Sequence, residues 1–591
     1  MTQYNRENPV TAPHSGAEFA ADFNKLLEAV LSGHSGSSRP ANIAAGGTWV
    51  QTLTSPNRGR LYMYDGSTDI EILTVDYDAN TVTLGATALD HLGTAATRNV
   101  GTAEGNLVEV LAGGLLPALD ASNLTNLDLV NSEIPAPDHH RVVMLPTTLN
   151  GAGSYRSGGV IMADGSLRVW GNSDNGNLGQ GSHYAYNRSA PIVPAFPGVY
   201  AGTPRKWLRH ASENILLMEN GEVWSWGQNV YGCLGHGNTA NVFVPTKIAA
   251  LTGINIIDVA LGVSHFRGYS YAMFLADDGR LFACGNNANG ELGLGDTTAR
   301  STPTALAKTD WAQVVTVGAR AAVTFGIDAS GDLYSWGEAR RGELGTGVTS
   351  GQQTSPALLN AFGGVSVSKV HGHISGISWT AGVNEGHILA LLSDGNVYSW
   401  GENAKGQLGL GDTTHRTIPT HVTSLGSDNV DVLAAFGNAG SSYVRKSNGE
   451  IWACGMNAAG QLGQGNTTDL NQFTLVPQIA GATGVVQMLA IGDVGSDAVA
   501  VLYDDGRIGG LGYNDDGRLG FGSNANAATM TEMLLPVSDK PVAICAVGQS
   551  GEAGIGIMTE DGKYYQTGYA GESQLPEDDD EPSSVPYLVQ F

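Results

Sequence analysis

Over residues 139–591, short apolar runs alternate with polar turn residues at a recurring spacing. A run such as Tyr271–Ala276 or Ile388–Leu392 leads into an Asp-Gly or Asn-Gly pair. A short alternating segment such as Val397–Trp400 then follows. Runs of this length, rich in β-branched and aromatic residues and bounded by Gly, Asn and Asp, predict strands. The Asp/Asn-Gly pair between two runs predicts a hairpin with a type I′ turn. A further strand is expected ahead of each hairpin, as at Ile256–Leu261 and Val485–Ile491. A fourth extended piece is expected after a proline, as at Pro245–Ile248.

The spacing is that of an internal repeat. Seven segments align, beginning with Asp164–Gly181 and ending with Asp505–Gly522, and a decayed eighth begins at Asp561. Their first glycines are Gly165, Gly221, Gly279, Gly331, Gly395, Gly449, Gly506 and Gly562, so successive units are 52 to 64 residues apart. Four short antiparallel strands per unit of this length make one blade of a β-propeller. The Trp-Gly pairs at Trp170-Gly171, Trp226-Gly227, Trp336-Gly337 and Trp400-Gly401 are expected to pack one blade on the next, with glycine permitting close backbone approach.

Asp394–Gly411, with His387 upstream, is nearly a copy of the regulator-of-chromosome-condensation repeat, and the other units resemble it over residues 139–591. That resemblance implies a propeller, usually of seven blades, and makes His387 structural. Eight units are present here. Either the last unit supplies closing strands for the first blade, or the ring has eight blades. The first unit has its own leading strand at Arg141–Leu145, and Val585–Phe591 is available to close the circle, so the reading favours eight. The expected class is therefore mainly β, a propeller of seven to eight four-stranded blades behind a small helix-plus-strand region and a slender connector.

Residues 1–138 carry no repeat and divide into an attachment segment (1–45), a small β module (46–86) and a connector (87–138). Ser15–Glu18 reads as a capping box before Phe19, Phe23, Leu26, Leu27, Val30 and Leu31, a narrow apolar stripe at helical spacing. Such a stripe suits association with copies of itself or docking on its own chain. Residues 33–40 read as a linker, and two strands are expected at Gly46–Val50 and Arg60–Gly66. The stretch from Gly47–Val50 to Leu61–Gly66 is similar to a strand module of bacteriophage tail proteins. His91–Thr102 and Leu116–Leu127 resemble the linker of tail fibres. The resemblance implies a virion tail fibre or receptor-binding protein, made in a bacterial cytoplasm and trimeric at its connector, with tail or baseplate proteins as partners at one end. The propeller would then meet a host cell-surface glycan or protein at the other.

Composition narrows the alternatives. Glycine, at 82 of 591 residues, is about twice ordinary usage, as many tight turns require. The net charge of −26, without a basic cluster, argues against nucleic acid and anionic membranes as partners. No apolar run reaches a membrane span, and no signal-peptide pattern opens the chain. Cys233, Cys284, Cys454 and Cys545 lack metal-ligand spacing and read as buried apolar residues, two of them at the Trp position of the repeat. No GxSxG, HExxH or phosphate-binding loop appears, so no catalytic residues are assigned and no cofactor or metal site is expected. Glu577–Glu581 reads as a solvated loop that would at most hold a hard cation such as calcium. A polysaccharide-degrading pair of carboxylates remains a minor alternative. Other rivals are a structural baseplate part, an inhibitor-like propeller and a GTPase exchange factor, the last weakened by the lack of a basic tail.

Binding residues are expected on the connection between the first and second strands, which varies in length. The candidates are Tyr155 and Arg156 in the first unit, His265, Phe266, Arg267, Tyr269 and Tyr271 in the third, and His371, His373 and Trp379 in the fifth. Aromatics with His and Arg on glycine-rich loops suit stacking on sugars or protein hot spots.

Overall fold

Each repeat forms a separate four-stranded antiparallel sheet from consecutive strands, and there are eight such sheets. The first is Val142–Met144, Ser157–Met162, Leu167–Gly171 and Arg188–Ile192. The eighth is Pro541–Val547, Gly554–Thr559, Tyr564–Gly568 and Ser583–Val589. The computed structural model describes residues 142–589 apart from 146, 149–156, 172–173, 182–187, 197–202, 211, 264–268, 318–322, 340–341, 376–384, 436–439, 492–496, 537–538, 548–552 and 569–582. Ahead of these it describes only the backbone of five strands. The chain divides into two compact units, Met1–Ala136 and Pro137–Phe591.

In the first unit, Ser35–Gly36, Thr48–Thr52, Arg58–Tyr64, Asp69–Asp76 and Thr81–Leu84 form one sheet in chain order. Thr48–Thr52 and Arg58–Tyr64 pair antiparallel. The last two strands were not legible beforehand, and the first falls in the stretch read as a linker. The apolar stripe from Phe19 to Leu31 and the connector lie outside the described residues.

In the second unit the ring has eight blades. The amide of the first residue in a blade's first strand donates to the turn glycine of the preceding blade: Trp311 N to Gly279 O at 3.0 Å and Val367 N to Gly331 O at 2.9 Å. Val142 N makes the same bond to Gly562 O at 2.8 Å, so the decayed eighth unit meets the first as any blade meets its neighbour. The final strand, Ser583–Val589, pairs within its own blade with Tyr564–Gly568 and adds no strand to blade 1. It takes part in closing the circle, as expected, by completing an eighth blade. Closure rests on packing: Val142, Val160, Met162 and Trp170 bury against Tyr564 and Val589, with the Trp170 and Tyr564 rings edge to face at 5.6 Å.

The core is distributed in the same way. Each apolar cluster lies between two adjacent blades, as where Leu217 and Val223 of blade 2 meet Val259 and Phe274 of blade 3. Trp170, Trp226, Trp336 and Trp400 are fully buried there. The indole Nε1 of Trp226 donates to Asn177 O (3.0 Å), that of Trp336 to Glu291 O (2.8 Å) and that of Trp400 to Glu343 O (2.7 Å), each in the preceding blade. Cys284 and Cys454, at the same repeat position, point their thiols at the matching carbonyls of Cys233 (3.3 Å) and Gln407 (3.6 Å). All four cysteines are free and buried. They are more than apolar filling, because two of them stand in for the indole donor.

The hairpin turns differ from expectation. Among the described residues the only non-glycine with positive φ is Asn175, so the Asp and Asn of the turns do not enter the left-handed region that type I′ demands. In blade 5, Leu392 N bonds Asn396 O and Gly395 N bonds Leu392 O, with only Gly395 (φ 81°) left-handed. This is the three-residue hairpin, a type I turn followed by a bulged glycine. The acid takes its place by bonding forward: Asp394 Oδ1 accepts from Asn396 N at 3.0 Å, as Asp164, Asn220, Asp278, Asn448 and Asp505 do in their own turns.

A second side chain pins the loop after the third strand. Asn403 Nδ2 donates to Asp412 O and Thr414 O, and its Oδ1 accepts from Leu408 N. Asn229, Asn287, Asn457 and Asn514 repeat the pattern. The outer edge is guarded by proline inside the fourth strand, as at Pro245, Pro303, Pro356 and Pro419, rather than ahead of it. A missing N–H at the edge opposes pairing with another sheet.

Candidate functional site

Because four strands alternate in direction, the ring has two unlike faces. One face, here the loop face, carries the connections from first to second and from third to fourth strands. The other, the turn face, carries the Asp/Asn-Gly hairpins and the links between blades. Of the expected binding residues, Tyr269 lies on the first-to-second connection of blade 3, Tyr271 in its second strand Ser270–Ala276, and His371 and His373 in the first strand of blade 5, Val367–Ser375.

Tyr155, Arg156, His265, Phe266, Arg267 and Trp379 lie outside the described residues. For His373 only the backbone is described, paired with His387. The others separate clearly. Tyr269 is 38% exposed. Its ring lies 4.7 Å from that of Tyr231, tilted by 31°. Tyr231 sits on the third-to-fourth connection of blade 2, so the pair spans the junction of blades 2 and 3. The hydrogen bond to Tyr269 is the main cause that holds the Tyr231 hydroxyl above its ordinary range.

Tyr271, two residues on, is fully buried. Its hydroxyl donates to Val323 O and accepts from Thr324 Oγ1, both at 3.1 Å. It forms a wall between blades 3 and 4, because it lies within the strand Ser270–Ala276 and packs against Val314 and Trp336, while Tyr269 precedes the strand on the connection. His371 is half-buried, and its Nδ1 accepts from Ala434 N of the next blade at 3.0 Å. Burial, reinforced by the Lys369 ammonium, pushes its pKa down to about 3. Its Nδ1 is spent on the neighbouring blade. The structure therefore brings Tyr269 together with a residue not anticipated, Tyr231, and commits Tyr271 and His371 to contacts between blades. Tyr231 was hidden because it stands at a variable position inside the repeat motif, Asn229-Val-Tyr-Gly232, where siblings carry Asn289, Lys405 and Ala459. Variability within an otherwise constant loop is the signal that would have found it.

Among the described residues no group of three or more His, Cys, Asp or Glu side chains is placed to hold a metal ion. Among them too, no helix is long and apolar enough to cross a membrane.

His387, in the second strand of blade 5, is buried, and burial holds its pKa down to about 4. The folded ring keeps the imidazole neutral while the unfolded chain takes up a proton below about pH 6.5. Stability is thus retained above that pH and lost as pH falls towards 4, at up to ~1.4 kcal/mol per unit. We expect urea unfolding at pH 4.5 to give a free energy lower than at pH 7. We further expect His387→Gln to shrink that difference by about 2 kcal/mol.

The family model of the regulator of chromosome condensation (RCC1) repeat matches residues 220–266, 278–323, 330–373 and 394–440. The Ultraviolet-B receptor UVR8 of Arabidopsis thaliana is 29% identical over 349 residues, covering 58% of this chain and 71% of that protein. The human E3 ubiquitin-protein ligase HERC2 is 27% identical over 389 residues, 65% of this chain but only 8% of the relative's length. Among solved structures, human WBSCR16 aligns over 65% of this chain and 96% of its own, with 19% identity and a TM-score of 0.47. Yeast RCC1 (Prp20), solved bound to Kap60, aligns over 63% and 84% with 17% identity and a TM-score of 0.46. The units matched by the RCC1 repeat model span four of the eight repeats, and all eight repeats form four-stranded sheets of consecutive strands.

Proposed function

We propose that the propeller is a protein-binding module and that the loop face is its recognition surface. The observation that carries this reading is the Tyr231–Tyr269 pair. Two large amphipathic rings stand partly exposed, on connections whose ends are fastened by strands and by the Asn229 pin. Tyrosine on a rigid support offers contact area at little entropic cost, which is the composition of a binding hot spot. The relatives add support of a general kind: a receptor and a ubiquitin-protein ligase, proteins of different activity, are both similar to this chain over more than half its length.

A second reading makes that partner a bacterial surface component and the chain a virion tail fibre. It rests on the tail-fibre-like segments His91–Thr102 and Leu116–Leu127 and on nothing in the ring. Under it the full chain is a trimer located in the phage tail, and calcium would bridge the acidic ring to its target.

Both readings meet in one set of measurements on the full chain. Fluorescent protein is applied to a panel of bacterial strains with and without calcium, and its mass is taken by light scattering. A photo-crosslinking residue at position 230, beside the pair and exposed as Val230, reports any protein bound there. The expected result is a discrete adduct at position 230, lost in the Tyr231→Ser/Tyr269→Ser variant at unchanged thermal midpoint. Saturable labelling of a few strains by a trimeric chain selects the fibre reading. An adduct that persists in the double variant removes the tyrosine pair as the site.

A further inference from the structure

The first strand of every blade begins with a bulge. In blade 7, Val485 faces Tyr503 and Gln487 faces Leu502, which leaves Val486 as the extra residue. The same irregularity leaves Val430 in blade 6, Val542 in blade 8 and Val143 in blade 1 without a cross-strand partner. A bulged residue is withdrawn from the ladder and its side chain is re-aimed. All four valines are exposed, between 39% and 51%. They fall on four consecutive blades, at the turn-face end of the innermost strands. Their blades are joined there by Arg445 Nη1 to Val485 O, by Gln487 Nε2 to Ile544 O at 2.7 Å and by Val142 N to Gly562 O at 2.8 Å. Together they make an apolar arc on one half of the mouth of the ring.

Nothing in the fold demands valine at the bulge. The four remaining blades place Arg205, Ile257, Ala312 and Ser368 at the same position with the same irregularity of pairing. Single exposed apolar residues are ordinary, whereas a run of four neighbours is the kind of patch that marks a contact.

The rim around the arc is acidic. Asp164, Asp428, Asp504, Asp505, Glu560 and Asp561 occupy the turns and links of these blades. Of the cations nearby, Lys446 is paired with Asp428, Arg507 with Asp505, and Lys563 with Asp539 and Asp561. Lys540 and Arg168 also lie on this side. With a net charge of −26 for the chain, a second copy is repelled and a cationic partner is drawn in.

We propose that the arc of Val143, Val430, Val486 and Val542 is a second docking surface, separate from the tyrosine pair, and that it receives an apolar tip of a basic polypeptide segment. Apolar contact supplies the specificity and the acidic rim supplies attraction that weakens with salt.

The test uses the full chain and three synthetic peptides of equal length: Lys with Leu, Lys with Ser, and Glu with Leu. Binding is read by fluorescence anisotropy at two salt concentrations. The Lys/Leu peptide should bind at least about tenfold tighter than Lys/Ser, and Glu/Leu should not bind. In the Val430→Ser/Val486→Ser/Val542→Ser variant the advantage of Leu over Ser should vanish while the weak electrostatic binding of both remains. Equal affinity for the Lys/Leu and Lys/Ser peptides in the unaltered protein overturns the proposal, as does a Leu preference that survives the triple change. Because those side chains are exposed, the variant should keep its thermal midpoint; if it does not, Val486→Lys alone, which adds a like charge against the peptide, must weaken Lys/Leu binding. The Tyr231→Ser/Tyr269→Ser variant should bind the peptides normally, so failure here and failure of the loop-face site are read separately.

Discussion

Trp400→Ala should lower the unfolding free energy of the ring by about 3–5 kcal/mol, the range for emptying a fully buried aromatic site. The indole is enclosed by Phe325 and Phe362, with ring centroids at 6.0 and 6.5 Å, and its Nε1 is bonded to Glu343 O of the preceding blade. Alanine leaves a cavity and removes the donor to Glu343 O. Trp400→Phe should cost less, since packing survives and only the hydrogen bond goes, about 1–3 kcal/mol. Trp452→Ala is the contrast, because that ring is half-buried and bonds only Glu450 of its own turn. The neighbouring blade supplies a compensated version of the change. There Cys454 stands at the tryptophan position and Phe473 at the position of Pro419, and the two pack in one cluster. Trp400→Cys/Pro419→Phe should therefore be more stable than Trp400→Cys alone. Urea unfolding followed by tryptophan fluorescence and by circular dichroism measures all five; additive losses in the double variant would show that the volume exchange does not operate.

Gly227→Ala should be at least as damaging, about 4 kcal/mol or more, placing it among the exceptional single substitutions. The residue has φ 108°, and a Cβ there would lie 1.8 Å from Ser212 O. The obstacle is backbone of the same sheet, which cannot turn aside. Gly253→Ala isolates the conformational part: φ is 81°, and a Cβ would meet nothing within 4 Å. Its cost should be about 1–2 kcal/mol, that of a left-handed non-glycine alone. Equal losses for the two variants, in thermal or urea unfolding, would show that backbone strain and not the clash governs Gly227.

The repeat made the propeller legible before any coordinates. Apolar runs, turn glycines and a period of 52–64 residues locate the strands within a few residues, and Val485–Ile491 matches the observed strand at both ends. These are local signals, carried by residues a few positions apart, and they survive in a one-dimensional string. The Trp-Gly pairs were readable as contacts between blades for the same reason, since a large apolar residue repeating once per unit has only the neighbouring unit to pack on.

What the tertiary structure decided are the relations between units. Whether Ser583–Val589 closes blade 1 or completes blade 8 depends on which edge it pairs with, and both edges offer the same unpaired backbone groups. The count of eight follows from the Val142–Gly562 bond, made by residues 420 positions apart. The turn type was misjudged because Asp-Gly is compatible with two hairpins, and the Asx bond to residue 396 together with the strand register selects the longer one. The site was the least legible part. Tyr269 and Tyr271 are alike in sequence, yet one ring faces water and the other fills a wall, since the strand Ser270–Ala276 begins between them and only Tyr271 is packed between blades. Tyr231 meets Tyr269 only because two blades stand side by side, and the arc of four valines exists only because eight equivalent bulges are brought round to one mouth. Sequence periodicity determined the unit of this protein; the closing of the ring decided which residues of different units share a surface.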